Sequence, residues 1–306
     1  MAQKRKKKTG SIALPYLVTI FIGILLIGGG TFLFLNHLGL LGGEKELPEP
    51  TPRQITTTTY ADNHTILFIL DEPDADQASA TFLLMRSIPK EKKLVFVGIP
   101  SNTIALVGDT QQSIKTAYAN GGASAAVEFT DYVFGIKTDR YMKLDSAALV
   151  KLCDILGGVT YPVSEDVAGF NGDGSDQYLN SSQIERLITY SMFAGGEEER
   201  AYITSSLVSA MMNQADGKRL ADNFDNSFNS IVNLADTNIT AVDYKKHKVA
   251  IKSMLEYGRT IGSFYIMEGE AAYDDYIASE TFLNDFRERF FSYDETEADG
   301  GEGDDQ

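Results

Sequence analysis

Residues 12–35 form an uncharged run rich in Ile, Leu, Val, Phe and Gly, preceded by the cations Lys4, Arg5, Lys6, Lys7 and Lys8. As a helix at 1.5 Å per residue the run reaches roughly 36 Å, enough to cross a ~30 Å hydrocarbon core with some tilt. A cleavable signal peptide carries only ~7–15 apolar residues and a small-x-small cut site. This run is longer, and Leu38-Gly39-Leu40-Leu41 is a poor cut site. The pattern after residue 60 is different, alternating strand and helix. Residues 65–70 read as a buried strand running into the acidic turn Asp71-Glu72-Pro73-Asp74. Two further apolar runs, 81–85 and 94–99, are joined by the short charged turn Pro89-Lys90-Glu91-Lys92-Lys93 and predict a hairpin. Amphipathic spacing predicts a helix over 123–134, with Ala126, Val127, Thr130, Val133 and Phe134 on one face. A strand over 141–144 follows. Asp145 or Ser146 then caps a helix that turns Leu149, Leu152, Cys153 and Leu156 inward and stops at Gly157-Gly158. Helical patterns over 181–192 and 197–213, a strand over 263–267 and a helix over 274–290 complete the series. Near-continuous apolar strands interleaved with helices predict an α/β fold, its sheet sandwiched by helices.

Charge fixes the orientation. The positive-inside rule keeps the cations in the cytoplasm, so residues 1–10 are expected as a basic cytoplasmic tail and 11–41 as one transmembrane helix. The bulk of the chain then lies outside the plasma membrane, with the bilayer as its first partner. Residues 42–60 contain Pro48, Pro50, Pro52 and four consecutive threonines, a spacer between bilayer and domain. Residues 61–292 remain for one folded domain. From 293 to 306 the chain is mostly Asp, Glu and Gly and is expected to be disordered. Setting aside the five cytoplasmic cations leaves 22 Lys and Arg against 43 Asp and Glu, a net of −21. Nucleic-acid binding has no basic footprint on such a surface. Cys153 is the only cysteine and excludes an intrachain disulfide; on its helix face it reads as a small core residue. His37, His64 and His247 are too scattered to propose a zinc site and read as neutral surface or loop histidines.

Several segments carry a resemblance. They are Ile99-Pro100-Ser101-Asn102-Thr103, then Ile114-Lys115-Thr116-Ala117-Tyr118-Ala119-Asn120-Gly121-Gly122, then Val150-Lys151-Leu152-Cys153-Asp154-Ile155-Leu156-Gly157-Gly158-Val159. In this order, from about residue 65 to 290, they resemble the LytR-CpsA-Psr proteins of bacterial cell envelopes. The resemblance implies transfer of a polyprenyl-pyrophosphate-linked glycopolymer to peptidoglycan, with both as partners. It also implies an apolar cavity for the prenyl chain, arginines that hold the pyrophosphate, and carboxylates that hold Mg²⁺. Planar guanidinium forks suit phosphate oxygens, and Mg²⁺ neutralises charge during attack at phosphorus.

The chain departs from that pattern where the chemistry belongs. Where the family has Arg-Ser-Asp-Thr, this chain has Ala78-Ser79-Ala80-Thr81, and where it has Arg-Asp-Thr after Ile-Pro, Ser101, Asn102 and Thr103 stand. A pair of family arginines falls near Thr189 and Ser191, and of the next pair only Arg200 is left. Arg86, Arg140 and Lys143 occupy no family position. The remaining candidates for a ligand pocket are Asp71, Glu72, Ser79, Thr81, Thr103 and Arg200, with Asp71 the metal ligand; Asp71 and Glu72 also read as a solvated turn. Each arginine–phosphate fork contributes roughly 1.5–3 kcal/mol, so three or four losses remove several kcal/mol of pyrophosphate binding. The expectation is a catalytically degenerate envelope protein that keeps an apolar lipid pocket, with Mg²⁺ as cofactor only where the family chemistry is retained. The alternatives are an active Mg²⁺-dependent phosphotransferase with relocated residues, and a structural or sensory ectodomain.

Overall fold

Alternating side chains along three adjacent strands decide which residues meet which helices. The computed structural model describes residues 58–71, 80–163, 167, 169–257 and 260–298. The expected basic tail and membrane helix, nearly all of the spacer, and the last eight residues lie outside the described residues. Among the described helices none is long and apolar enough to cross a membrane.

A 3-10 turn at Tyr60–Asp62 leads into β1 (His64–Leu70). The expected hairpin follows as β2 (Thr81–Ile88) and β3 (Lys93–Ile99), antiparallel and joined by a 3-10 turn that Pro89 starts and Lys92 ends with φ 56°. A small hairpin, β4 (Ile104–Val107) and β5 (Thr110–Ser113), precedes α1 (Ile114–Phe134). Helix α1 begins nine residues before the predicted 123 because Ser113 caps it through the Thr116 N–H at 3.2 Å. Gly122, at φ 67°, breaks it where the pattern starts its helix. Strand β6 (Arg140–Leu144) runs into α2 (Ser146–Leu156), and Asp145 is the N-cap through the Ala148 N–H at 2.8 Å. Next come β7 (Val159–Pro162), β8 (Asp176–Leu179), α3 (Ser181–Thr189) and α4 (Gly196–Gln214).

Three helices that the sequence pattern left unread follow: α5 (Gly217–Asp222), α6 (Phe224–Val232) and, beyond β9 (Asp236–Thr237), α7 (Ala241–Tyr257). Strand β10 (Gly262–Tyr265) is as expected. The last helix is shorter at its start than predicted, because β11 (Gly269–Ala272) and β12 (Asp275–Ala278) form a hairpin around Tyr273 at φ 59°. A two-residue loop needs that left-handed conformation. Helix α8 (Glu280–Ala298) then extends into the segment expected to be disordered.

The main sheet has the order β10-β3-β2-β1-β6-β9. Strands β1, β3, β6 and β10 run one way and β2 and β9 the other. Leu67, Ile69, Phe82, Leu84, Val95 and Val97 point to one face, where Ala126, Phe129 and Phe134 of α1 and Phe282, Phe286 and Phe290 of α8 close a core. The intervening positions, Phe68, Leu70, Leu83, Met85, Leu94 and Phe96, point to the other face and meet α2, α4, α5 and α7. This is the sheet covered on both sides that the apolar runs predict. Helix α4 lies close over β3: a Cβ on Gly98 would come within 2.0 Å of the Ala201 carbonyl oxygen. Cys153 is buried in this second layer, where burial raises its thiol pKa to about 12, so it is packing rather than a nucleophile.

One expectation is corrected. Leu149 and Cys153 are buried as predicted, but Leu152 and Leu156 are only partly buried and line a cavity between α2 and the sheet. Leu152→Ala should therefore lose transfer energy without opening a new closed void, at about 1 kcal/mol. Leu67→Ala, in the closed layer, should cost about 2–5 kcal/mol. Chemical denaturation of the two variants checks the contrast; equal losses would mean that the second face is packed as tightly as the first.

Candidate functional site

The strand directions bring the C-terminal ends of β1, β3, β6 and β10 to one edge, together with the first residue of β2. Pairing of Leu70 with both Thr81 and Leu144, and of Phe82 with Ile99, sets Asp71, Ala80, Thr81 and Ser101 along that edge. In open α/β sheets the crevice outside the carboxyl ends of the strands is where ligands bind.

Asp71 is held there by three bonds. Its N–H bonds to the Leu144 carbonyl at 3.0 Å. Its Oδ2 accepts the Tyr118 hydroxyl at 2.5 Å and lies 3.1 Å from the Lys143 ammonium. Burial, with the bond to Asp71, raises the Tyr118 pKa to about 12, so it stays a donor. The bond to Tyr118, with Asp71 beside it, raises the Lys143 pKa and keeps it charged. Neither partner was singled out as a site residue by the sequence reading. Tyr118 lies in the Tyr-Ala-x-Gly-Gly segment, and Lys143 alternates with the inward Met142 and Leu144. A charged residue in an apolar strand was the available signal.

Arg200, the one expected arginine, reaches the same edge from α4 on the sheet's other face. It is 3% exposed, donates to the Thr81 hydroxyl and pairs with Glu197 at 3.2 Å. The two expected pocket residues Thr81 and Arg200 are thus brought together, while Asp71 stands on the α1 side.

Other candidates are placed differently. Thr103 is fully buried and bridges to Tyr276 of β12, so it does not open onto a pocket as expected. Asn102 donates to the Asp274 carbonyl at 3.0 Å, and its own carbonyl accepts the Tyr276 N–H at 3.0 Å. Ser101 is buried, and its carbonyl accepts the Lys115 N–H at 3.1 Å. These three residues stitch the chain between α1 and β12. Ala80 is buried beside the α1 core and offers no donor. Glu72, Ala78 and Ser79 lie outside the described residues. Arg86 and Arg140 belong to the opposite edge, where Arg86 bonds to Thr65 Oγ1 at 3.0 Å and Arg140 forks onto Asp243 at 2.8 and 2.6 Å.

Among the described residues the donors for a divalent cation are few: Asp71 Oδ2 is engaged by a hydroxyl and an ammonium, Ala80 brings no oxygen, and no three His, Cys, Asp or Glu converge.

The cavity lies under the second face, about 270 Å³ in volume. Leu70 and Leu144 line the end beside Asp71, and Phe68, Leu83, Met85 and Phe96 continue it along the sheet. Helices α2, α4, α6 and α7 form the opposite wall, including Leu152, Met212, Phe228 and Met254. Among the lining residues only His64, Ser87 and Ser227 are polar, and His64 and Ser87 mark the far end. His64 is not the surface residue expected. It is buried at the start of β1, its ring 4.7 Å from that of His247 on α7.

A profile of the LytR_cpsA_psr family matches residues 44–264, and the chain belongs to that family. Among curated proteins it is 26% identical over 182 residues to TagU of Bacillus licheniformis, a polyisoprenyl-teichoic acid–peptidoglycan teichoic acid transferase. That match covers 56% of this chain and 58% of TagU, so the chain spans little more than half the length of that relative. Among solved structures, a Eubacterium siraeum protein shares the fold with a TM-score of 0.67 at 20% identity, over 77% of this chain and 93% of that one. TagT bound to LI-WTA does so with a TM-score of 0.56 at 15% identity, over 78% and 94%. The mixed α/β fold and the family named from the sequence segments are therefore both found.

Burial, reinforced by His247, pushes the His64 imidazole down to about 4. The unfolded histidine, near 6.5, takes up its proton first, so this stability is complete above about pH 6.5 and is lost as pH falls toward 4. Urea midpoints measured across that range should fall with pH in the native chain. Replacing His64 by Phe should flatten the slope, by roughly 3 kcal/mol over the whole window. An unchanged slope would place the titration elsewhere.

Proposed function

We propose that this protein is a cell-envelope member of the LytR-CpsA-Psr family that holds the apolar tail of a polyprenyl lipid carrier and is catalytically degenerate. The observation that carries the reading is the cavity: an apolar hollow that ends at Leu70 and Leu144, beside the charged edge at Asp71. A lipid with a polar head fits this arrangement, its tail among Phe68, Leu83 and Met85 and its head at the strand ends. TagU and TagT act on or bind teichoic-acid molecules in the names they carry, which favours a glycan-bearing lipid and peptidoglycan as the molecules met here.

Degeneracy rests on the polar edge. A site for Mg²⁺–pyrophosphate needs several convergent guanidinium groups and free carboxylate oxygens. Among the described residues Arg200 is the arginine at this edge, and it is buried against Glu197 and Thr81. The reading includes a membrane anchor at residues 11–41, which places cavity and edge outside the plasma membrane.

Two experiments test these parts separately. Protein purified from membranes should carry co-extracted polyprenyl phosphate detectable by mass spectrometry. Leu152→Trp, which fills the cavity, should reduce that lipid severalfold while the thermal unfolding profile stays cooperative. An empty native protein would sink the lipid reading, and glycopolymer transfer to peptidoglycan by the purified chain would sink the degenerate one. For topology, external protease on intact protoplasts should remove everything beyond the spacer; a protected domain would overturn the anchor.

A further inference from the structure

Helix α7 crosses the edge of the sheet opposite the candidate site, and three contacts trace its course. Asp243 receives the fork of Arg140, the first residue of β6. One turn on, the His247 ring lies 4.7 Å from that of His64, the first residue of β1. Further along, the Ser253 hydroxyl accepts the Lys92 ammonium at 2.8 Å, just before β3 begins. The inward residues Ala250, Met254 and Leu255 are buried, and the last two line the cavity. The outward row is Val242, Lys245, Lys246 and Val249, spaced i, i+3, i+4, i+7 and exposed throughout, the valines at 74% and 51%. A helix face turned to water ordinarily carries polar residues alone. Residues 241–257 also hold four lysines against Asp243 and Glu256, and Asp243 is paired with Arg140. That balance is the reverse of the chain beyond residue 8, where 43 Asp and Glu face 22 Lys and Arg. Lys90 adds an exposed cation from the β2–β3 turn, 3.9 Å over the ring of Tyr60. Tyr60–Asp62 is where the chain enters the domain after the spacer.

We propose that this face of α7 docks on the anionic surface of the bilayer and so orients the domain, with the far end of the cavity toward the lipid and the Asp71 edge away from it. This rests on the anchor reading above, which brings a bilayer within reach of the spacer, and adds an orientation to it. Lys245, Lys246 and Lys90 meet lipid phosphates on long flexible stems, while Val242 and Val249 settle at the headgroup boundary. The acidic remainder of the domain is repelled by the same surface, so attraction and repulsion select one face. Two valines and a few lysines make a weak site by themselves. Tethering through the spacer raises the effective concentration of the membrane surface and makes a weak site sufficient.

The test uses the full chain reconstituted into vesicles of phosphatidylcholine, or of phosphatidylcholine mixed with phosphatidylglycerol. A polarity-sensitive dye is attached through Val249→Cys or, beside the candidate edge, through Tyr273→Cys; the native Cys153 is buried and does not compete. In the mixed vesicles at low salt the dye at 249 should shift to the blue and the dye at 273 should not. The shift should vanish in pure phosphatidylcholine and in about 0.5 M salt. Lys245→Glu with Lys246→Glu should lower the ratio of docked to undocked domain by more than about twenty-five-fold, about fivefold for each lysine lost. Salt makes the same comparison without any substitution. A dye at 249 that stays in water in the mixed vesicles, or shifts equally in phosphatidylcholine, would overturn the proposal. So would a shift produced in phosphatidylcholine vesicles by a soluble glycerol-phosphate polymer, which would assign the face to an anionic polymer. Flotation with phosphatidylcholine vesicles reports the anchor separately; if it fails, the anchor reading falls, and the dye in mixed vesicles still decides the docking.

Discussion

The domain depends on burying both faces of β1, β2 and β3. These strands have no polar side to turn to water, so each face must find a helical layer, and the two layers solve the problem unequally. On the α1 and α8 side, phenylalanines interdigitate into a closed core. On the other side α4 presses onto β3 so closely that Gly98 has no space for a Cβ. Helices α2, α6 and α7 stand off from β1 and β2 and leave the hollow. One sheet therefore supplies a stable platform and a cavity at the same time. Period-two alternation makes this possible, since Leu67 and Ile69 serve the first purpose while Phe68 and Leu70 serve the second.

The charged edge follows from the same geometry. Residues that leave a doubly buried sheet at its strand ends are the first that meet water, and ionised groups there are half-desolvated. Two such groups among the described residues are paired: Asp71 with Lys143, Arg200 with Glu197. Pairing limits the cost of partial burial. It also consumes the charge that a highly anionic ligand would need, so the local stability of this edge and strong pyrophosphate binding pull in opposite directions.

Much of the fold was legible because the strands are fully buried. Continuous apolar runs gave β1 and β3 to within a residue and β2 all but its last three residues, and Asp145 and Gly157 bracketed α2. The stretch 217–257 was not read as helices. Helix α7 carries Lys245, Lys246, Lys248 and Lys252 among its apolar positions, and α5 is a six-residue turn of chain, so neither shows a clean stripe. The site was legible only in part. Asp71, Thr81 and Arg200 were named from the family segments, but their grouping depends on strand register, which periodicity does not contain. Thr103 looked like a pocket residue and is instead sealed under β12, a hairpin that the pattern assigned to a helix. Tyr118, Lys143 and the His64–His247 pair meet across long stretches of sequence, and only the sheet order joins them.

A cavity and a catalytic edge respond differently to sequence change. Leu83, Met85 and Phe96 are core residues as well as cavity lining, so replacing them costs folding energy whether or not a ligand is bound. The hollow therefore persists for reasons of stability alone. An arginine at the strand ends is under no such constraint. It contributes little to packing, and if unpaired it carries a desolvation penalty, so its loss is tolerated or even favourable to the fold. In this architecture the hollow is therefore tied to folding, whereas charge at the strand ends is not. Among the described residues the charges at that edge stand in pairs, Asp71 with Lys143 and Arg200 with Glu197.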